Sequence, residues 1–151
     1  MPRLQTALKK AVEAGLAEAS PELMTGAEIA INLSDDARIR IVNMKWLGVD
    51  KATNVLAFPA VPIERLGRSK MVGDIILSYE TIVCEAKCER KTAHDHALHL
   101  VIHGLLHLLG YDHDTAVRAQ VMEAIEVRSL ARLGIADPYG VLAASEVDNE
   151  R

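Results

Sequence analysis

Three histidines, His103, His107 and His113, have the type and spacing that hold a transition metal. His103 and His107 are four residues apart, which on a helix puts their Cβ atoms roughly 5–6 Å apart on one face, so both imidazoles can reach one ion. A third ligand must come from outside the helix. Gly110 can take the left-handed conformation that ends a helix, and this lets Tyr111-Asp112-His113 fold back toward the other two rings. Three neutral imidazoles suit Zn²⁺ at ~2.0–2.1 Å and leave the fourth tetrahedral position open, as in catalytic zinc sites. The expectation is one Zn²⁺ per chain.

A lone histidine on an apolar helix face is ordinarily a core residue with a satisfied hydrogen bond. Two on so aliphatic a helix leave several nitrogens needing partners, and a metal meets that need at once. His99 and His103 have the same spacing and form a rival pair. Only His103 and His107 are followed at once by the Gly110 turn and His113, which leaves His99 as a supporting or core residue. Asp112 and Asp114 flank His113 and are candidate catalytic groups, for orienting a ligand or moving a proton. Capping the next helix is the other role open to Asp114. The spacing His-x3-His-x2-Gly-x2-His also occurs in metzincin-type proteases, where the residue after the first histidine is the glutamate that acts as general base. Here that residue is Gly104, so a peptidase built this way would lack its proton acceptor. Cys84 and Cys88 could form half of a second zinc site, but there is no second pair, and packing or idle thiols are the simpler reading.

The elements that must carry these residues follow from periodicity. Leu4, Leu8, Ala11, Val12 and Leu16 mark a first amphipathic helix that runs out near Ser20-Pro21. Ile29, Ile31 and Leu33 alternate as a strand, and Ser34-Asp35-Asp36 caps a second helix running to Trp46. Residues 54–58 read as a strand stopped by Pro59, followed by a loop rich in proline, glycine and basic residues up to Lys70. Residues 74–78 read as a further strand. Helical patterns follow from Tyr79 to Cys88 and from Thr92 to Leu109, the latter nearly all aliphatic in its second half and therefore buried on most sides. Val117, Val121, Ala124 and Ile125 mark a last helix ending before Gly134. Strands and helices mix without regular alternation. The fold expected is α+β, a small mixed sheet surrounded by helices with a central buried metal-bearing helix, a zincin-like layout. A single domain is expected over 1–137, with an acidic, flexible tail over 138–151.

The size of 151 residues suits one domain, and aromatics make up only 3%, so stacking platforms for bases are scarce. No run approaches the ~20 apolar residues of a membrane span, the N-terminus lacks a signal-peptide pattern, and two cysteines do not make a disulfide framework; a cytoplasmic location is expected. The formal charge of -4 argues weakly against a protein that coats nucleic acid. Locally the balance reverses: Arg38, Arg40, Lys45, Lys51, Arg65, Arg68 and Lys70 face only Asp50 and Glu64 in the same stretch. That asymmetry suits an anionic substrate, or simply a solvated surface.

Residues 103–113, HGLLHLLGYDH, resemble the YbeY family of bacterial metal-dependent endoribonucleases of ribosomal RNA maturation. Thr53-Asn54-Val55-Leu56-Ala57-Phe58-Pro59 is similar to the family's Thr-Asp/Asn-Val-Leu-Ser-Phe-Pro strand, and Gly73-Asp74-Ile75 to its Gly-Asp-Ile strand. The resemblance runs from about Ile31 to about Leu133. It implies that His103, His107 and His113 bind zinc and that the strand residues line a cleft beside it. Thr53, Asn54 and Asp74 are then expected to bind substrate, with Lys45 and Lys51 on the RNA backbone. The implied activity is a zinc-dependent, single-strand-specific endoribonuclease in ribosomal RNA maturation and ribosome quality control, with ribosomal RNA and the small ribosomal subunit as partners. The alternatives are a metallopeptidase or other metal hydrolase, and a ribosome-associated zinc protein with weak or no nuclease activity. One departure bears on that choice: where the family shows Tyr/Trp-Arg-Gly, this chain has Trp46-Leu47-Gly48. Either Lys45, Lys51 or another cation replaces the arginine, or activity is weak, or the arginine is dispensable.

Overall fold

The computed structural model describes residues 2–139; positions 140–151, most of the expected tail, lie outside the described residues. Five α-helices and three strands follow in the order α1 (Pro2–Ala19), β1 (Glu28–Ser34), α2 (Asp36–Leu47), β2 (Val55–Pro59), β3 (Met71–Ser78), α3 (Tyr79–Cys88), α4 (Ala93–Leu108) and α5 (Ala116–Arg132). The sheet order is β1-β3-β2, with β1 parallel and β2 antiparallel to β3. This is the mixed sheet and α+β class expected.

The central element is α4, in contact with α1, α3, α5, β2 and β3. Ten of its residues, from His96 to Leu108, are buried, and Val101, Ile102, Leu105 and Leu106 are wholly inaccessible to solvent. Each large aliphatic residue so buried contributes about 1.5–3 kcal/mol, so the helix bearing two of the three histidines is fixed by the core itself. Thr92 caps it, accepting from the Asp95 N–H at 3.0 Å. On the sheet, Ile75 and Leu77 of β3 face α4, while Asp74 alternates with them and is exposed on the other face.

Three expectations change in detail. The segment before Lys70 is not all loop: Ile63–Arg68 forms a 3-10 helix, where the three-residue repeat lets Leu66 enter the core while Ile63 covers Gly110. The strand expected from Asp74 begins at Met71, because Met71 and Gly73 pair with Glu28 and Ile29 across an irregularity at Val72. On α5 the buried stripe is Met122, Ile125, Glu126, Ser129 and Leu130; Val117 and Val121 are exposed, because the face packed on α1 and α4 is the other one. Cys84 and Cys88 are free and exposed on α3, and among the described residues neither joins a metal cluster.

Candidate metal centre

The end of α4 closes as a Schellman motif. Gly110 N–H donates to the His107 carbonyl at 3.1 Å and Tyr111 N–H to the Leu106 carbonyl at 2.9 Å, with Gly110 at φ 96°. The chain reverses there, and His113 returns to α4. The ring centroids of His103 and His107 are 4.7 Å apart, those of His103 and His113 5.4 Å, and those of His107 and His113 5.1 Å.

One ring nitrogen from each histidine lies within 4.8 Å of the other two, and the Nε2 atoms of His103 and His107 are 3.1 Å apart. Nitrogens bound at ~2.0–2.1 Å to one tetrahedral ion stand roughly 3.3 Å from each other, so this pair is already close to the spacing a zinc ion requires. His107 is also kept neutral. Burial, then the neighbouring His103 and His113, push its pKa below 6.5, which leaves a lone pair available at neutral pH. The donor set fits a metal of the zinc type.

The triad opens on a cavity of about 430 Å³ to which Asn54, Val55 and Ala57 of the β2 segment contribute the opposite wall. Gly104, between His103 and His107, eases this approach: a Cβ there would stand 3.0 Å from Ile75 Cγ2 and 3.3 Å from Val55 Cγ2. A side chain at the proteases' glutamate position would thus crowd Ile75 and Val55, and the glycine there also leaves the base missing. The Asn54 amide nitrogen donates to Glu85 Oε1 at 3.0 Å, and the same oxygen accepts from His96 Nε2 at 2.9 Å.

The other expected site residues divide. Among the five expected to bind substrate, only Asn54 lines the cavity. Lys45 is exposed on α2 with its Nζ 5.3 Å from the Trp46 ring centroid, and the Lys51 carbonyl accepts from Asn43 Nδ2 at 2.8 Å on the same side of the fold. Thr53 is half-buried just outside the cavity wall, and Asp74 faces away across the sheet. Asp112 accepts from the His113 N–H at 2.7 Å; that bond and the charges of His107 and His113 hold its carboxyl below the usual range. Asp114 is paired with Arg118 at 3.1 Å, and the cap of α5 is Thr115 instead. Neither aspartate lines the cavity. Among the described residues His99 stands outside the histidine cluster, its Nε2 donating to Glu126 Oε2 at 2.9 Å.

Two residues of the site were not singled out from sequence. Glu126 on α5 is 1% exposed and accepts from His103 Nδ1 at 3.1 Å and His99 Nε2 at 2.9 Å. Burial alone would raise its carboxyl, but the two histidine donors outweigh it and hold the pKa at about 2. Its signal in the sequence was a charge in phase with Met122, Ser129 and Leu130. Tyr139, within the segment expected to be a tail, donates its hydroxyl to Glu126 Oε2 at 2.9 Å and lines the cavity. Burial and the Glu126 charge push that hydroxyl upward, so it stays a donor.

The family model described as Endoribonuclease YbeY matches residues 2–134. The chain is 47% identical over 133 residues to an Endoribonuclease YbeY of Azorhizobium caulinodans, covering 88% of this chain and 84% of that one. It is 46% identical over 142 residues to the Bradyrhizobium diazoefficiens protein of the same name, covering 91% and 77%. A solution structure of a Thermotoga maritima protein shares the fold at a TM-score of 0.57 and 23% identity, over 87% of this chain and 85% of that one. The chain belongs to the Endoribonuclease YbeY family.

Proposed function

We propose that this chain is a zinc-dependent endoribonuclease that cuts single-stranded ribosomal RNA in the cytoplasm, in ribosomal RNA maturation and ribosome quality control. The observation that carries the reading is the convergence of His103, His107 and His113 at the mouth of an open cavity, in a chain of this family. These three residues would hold one Zn²⁺, which when bound supplies a Lewis acid for the phosphodiester and acidifies water. The protein's own part is positional. α4 and the Gly110 turn fix the three rings, and Asn54, anchored by Glu85, offers a polar group on the facing wall. No carboxylate lines the cavity among the described residues, and Gly104 has Ile75 and Val55 against it. Both facts speak against a peptidase that relies on a glutamate base. They also leave Asp112 nearby, or the phosphate itself, to take the proton.

The test compares wild type with His107→Ala on a single-stranded ribosomal RNA fragment, with metal analysis of both proteins. Wild type is expected to carry about one zinc per chain and to cut; the variant is expected to lose both. Cleavage that survives the substitution would sink the reading. A zinc-loaded wild type that binds ribosomal subunits without cutting any RNA would favour a ribosome-associated role, which the absence of arginine at Leu47 makes the competitor to exclude.

A further inference from the structure

Glu126 is a carboxylate in the core, and a buried carboxylate is tolerated only where its oxygens are satisfied. Here the donors come from two directions. His99 and His103, one turn apart on α4, reach Oε2 and Oε1 at 2.9 and 3.1 Å, and Tyr139 reaches Oε2 at 2.9 Å from beyond the end of α5. Because the carboxylate only accepts, the proton of a neutral His103 ring must sit on Nδ1. Its Nε2 then keeps the lone pair, and that atom faces His107 Nε2 at 3.1 Å. The His103 ring is therefore held at one nitrogen by α5 while it presents the other to the ligand cluster.

We propose that Glu126 is the positioning residue of the histidine triad: it selects the ligating tautomer of His103 and fixes the ring, and Tyr139 and His99 in turn hold Glu126. This rests on the reading of the triad as a zinc site and adds a part that acts only through a ligand. A histidine ligand whose second nitrogen donates to a carboxylate is more basic and better oriented, and loss of such partners commonly costs 10–100-fold in metal affinity. The competing role for Glu126 is structural, a partner that merely satisfies two half-buried histidines. Both roles require the Nδ1–H tautomer of His103; they differ in zinc affinity, which a merely structural partner would leave unchanged.

The experiment uses the full chain as wild type, Glu126→Gln, Glu126→Met and Tyr139→Phe. The His103 tautomer is read by ¹⁵N NMR on metal-free protein, and zinc affinity by competition with a chromophoric chelator. Wild type is expected to show the Nδ1–H tautomer. Glu126→Met, with no acceptor, is expected to lose that preference and to bind zinc 10–100-fold more weakly. Glu126→Gln keeps an acceptor oxygen but no charge, so it should retain the tautomer and lose about 10-fold, which keeps the proposal testable if the Met variant does not fold. Tyr139→Phe should lose less than Glu126→Gln. A folded Glu126 variant with unchanged zinc affinity overturns the proposal, as does a wild-type His103 carrying its proton on Nε2. Wild-type protein that takes up no zinc overturns the zinc reading itself, and the tautomer, measured without metal, separates that failure from failure of Glu126 to set the ring.

Discussion

Gly73 and Phe58 approach so closely that a Cβ on Gly73 would lie 2.5 Å from the Phe58 carbonyl oxygen. It would also meet Leu108 Cδ2 at 2.7 Å and Pro59 Cα at 3.2 Å. The first and last of these are backbone atoms, which no rotamer change can move. Gly73→Ala must therefore push β2 off β3 or lift the last turn of α4, where Leu108 follows His107. We expect a loss of about 1–3 kcal/mol in urea unfolding of the metal-free protein, together with weaker zinc binding. Unfolding within about 0.5 kcal/mol of wild type would show that the strands part more easily than the packing implies.

The α2 surface offers a test of the RNA reading. Leu47, 57% exposed, ends this helix beside Lys45, and neither residue lines the histidine cavity. If the basic residues around α2 hold the RNA backbone, log affinity for a single-stranded oligonucleotide falls with log salt by about 0.7 for each phosphate neutralised. Leu47→Arg should steepen that slope by about 0.7 and tighten binding at low salt. Stability should hardly change, since a cation at a helix C-terminus is favourable by about 0.3–1 kcal/mol. A slope identical to wild type would place the RNA elsewhere on the surface.

The histidine set and α4 were legible because local rules govern them: i,i+4 spacing, an aliphatic run, a threonine cap and a glycine stop all act within a few residues. The resemblance of residues 53–59 to the family strand pointed to Asn54, which lines the cavity, whereas Asp74, which Gly73-Asp74-Ile75 pointed to, lies on the other face of the sheet. Strand alternation puts it opposite Gly73 and Ile75, and which face carries α4 is decided by tertiary packing. Glu126 was hidden for the same reason. Its partners are 23 and 27 residues away in sequence, and a glutamate on a helix is read as solvent-facing until the buried stripe is known. Tyr139 lies beyond the last periodic pattern, where nothing local signals that a side chain returns to the site.

Zinc binding should depend on pH through His107. Burial first, then the nearby His103 and His113, depress its pKa, so the folded ring resists protonation while the unfolded one takes a proton near 6.5. For the metal-free protein the unfolded state thus binds more protons as pH falls through 6.5, and stability declines from that point downward. Zinc affinity should stay nearly flat in the His107 contribution down through 6.5 and weaken only once pH falls below the depressed folded pKa, as protons then compete for the same nitrogen. Chelator competition on wild type from pH 8 to 5.5, set beside the His107 ionisation followed by ¹⁵N NMR in the metal-free protein, isolates that contribution. A wild-type affinity that rises on acidification would contradict it.

Glu126 titrates in the opposite sense and in a different window. Its folded pKa of about 2 lies below the ordinary 4.5, so its contribution to stability is complete above pH 4.5 and is lost as pH falls through about 2. In that interval the unfolded carboxyl is protonated while the folded one stays ionised against His103 and His99. A shift of this size corresponds to roughly 3 kcal/mol. Glu126→Gln has no carboxyl at this position, so the difference in unfolding free energy between wild type and variant isolates the effect from general acid unfolding. That difference should shrink as pH drops from 4.5 toward 2, as Glu126 loses its charge to the proton. A difference that stays flat from pH 5 to 3 would mean that the carboxylate is not held by the two histidines in solution, and the orientation of His103 would then need another cause.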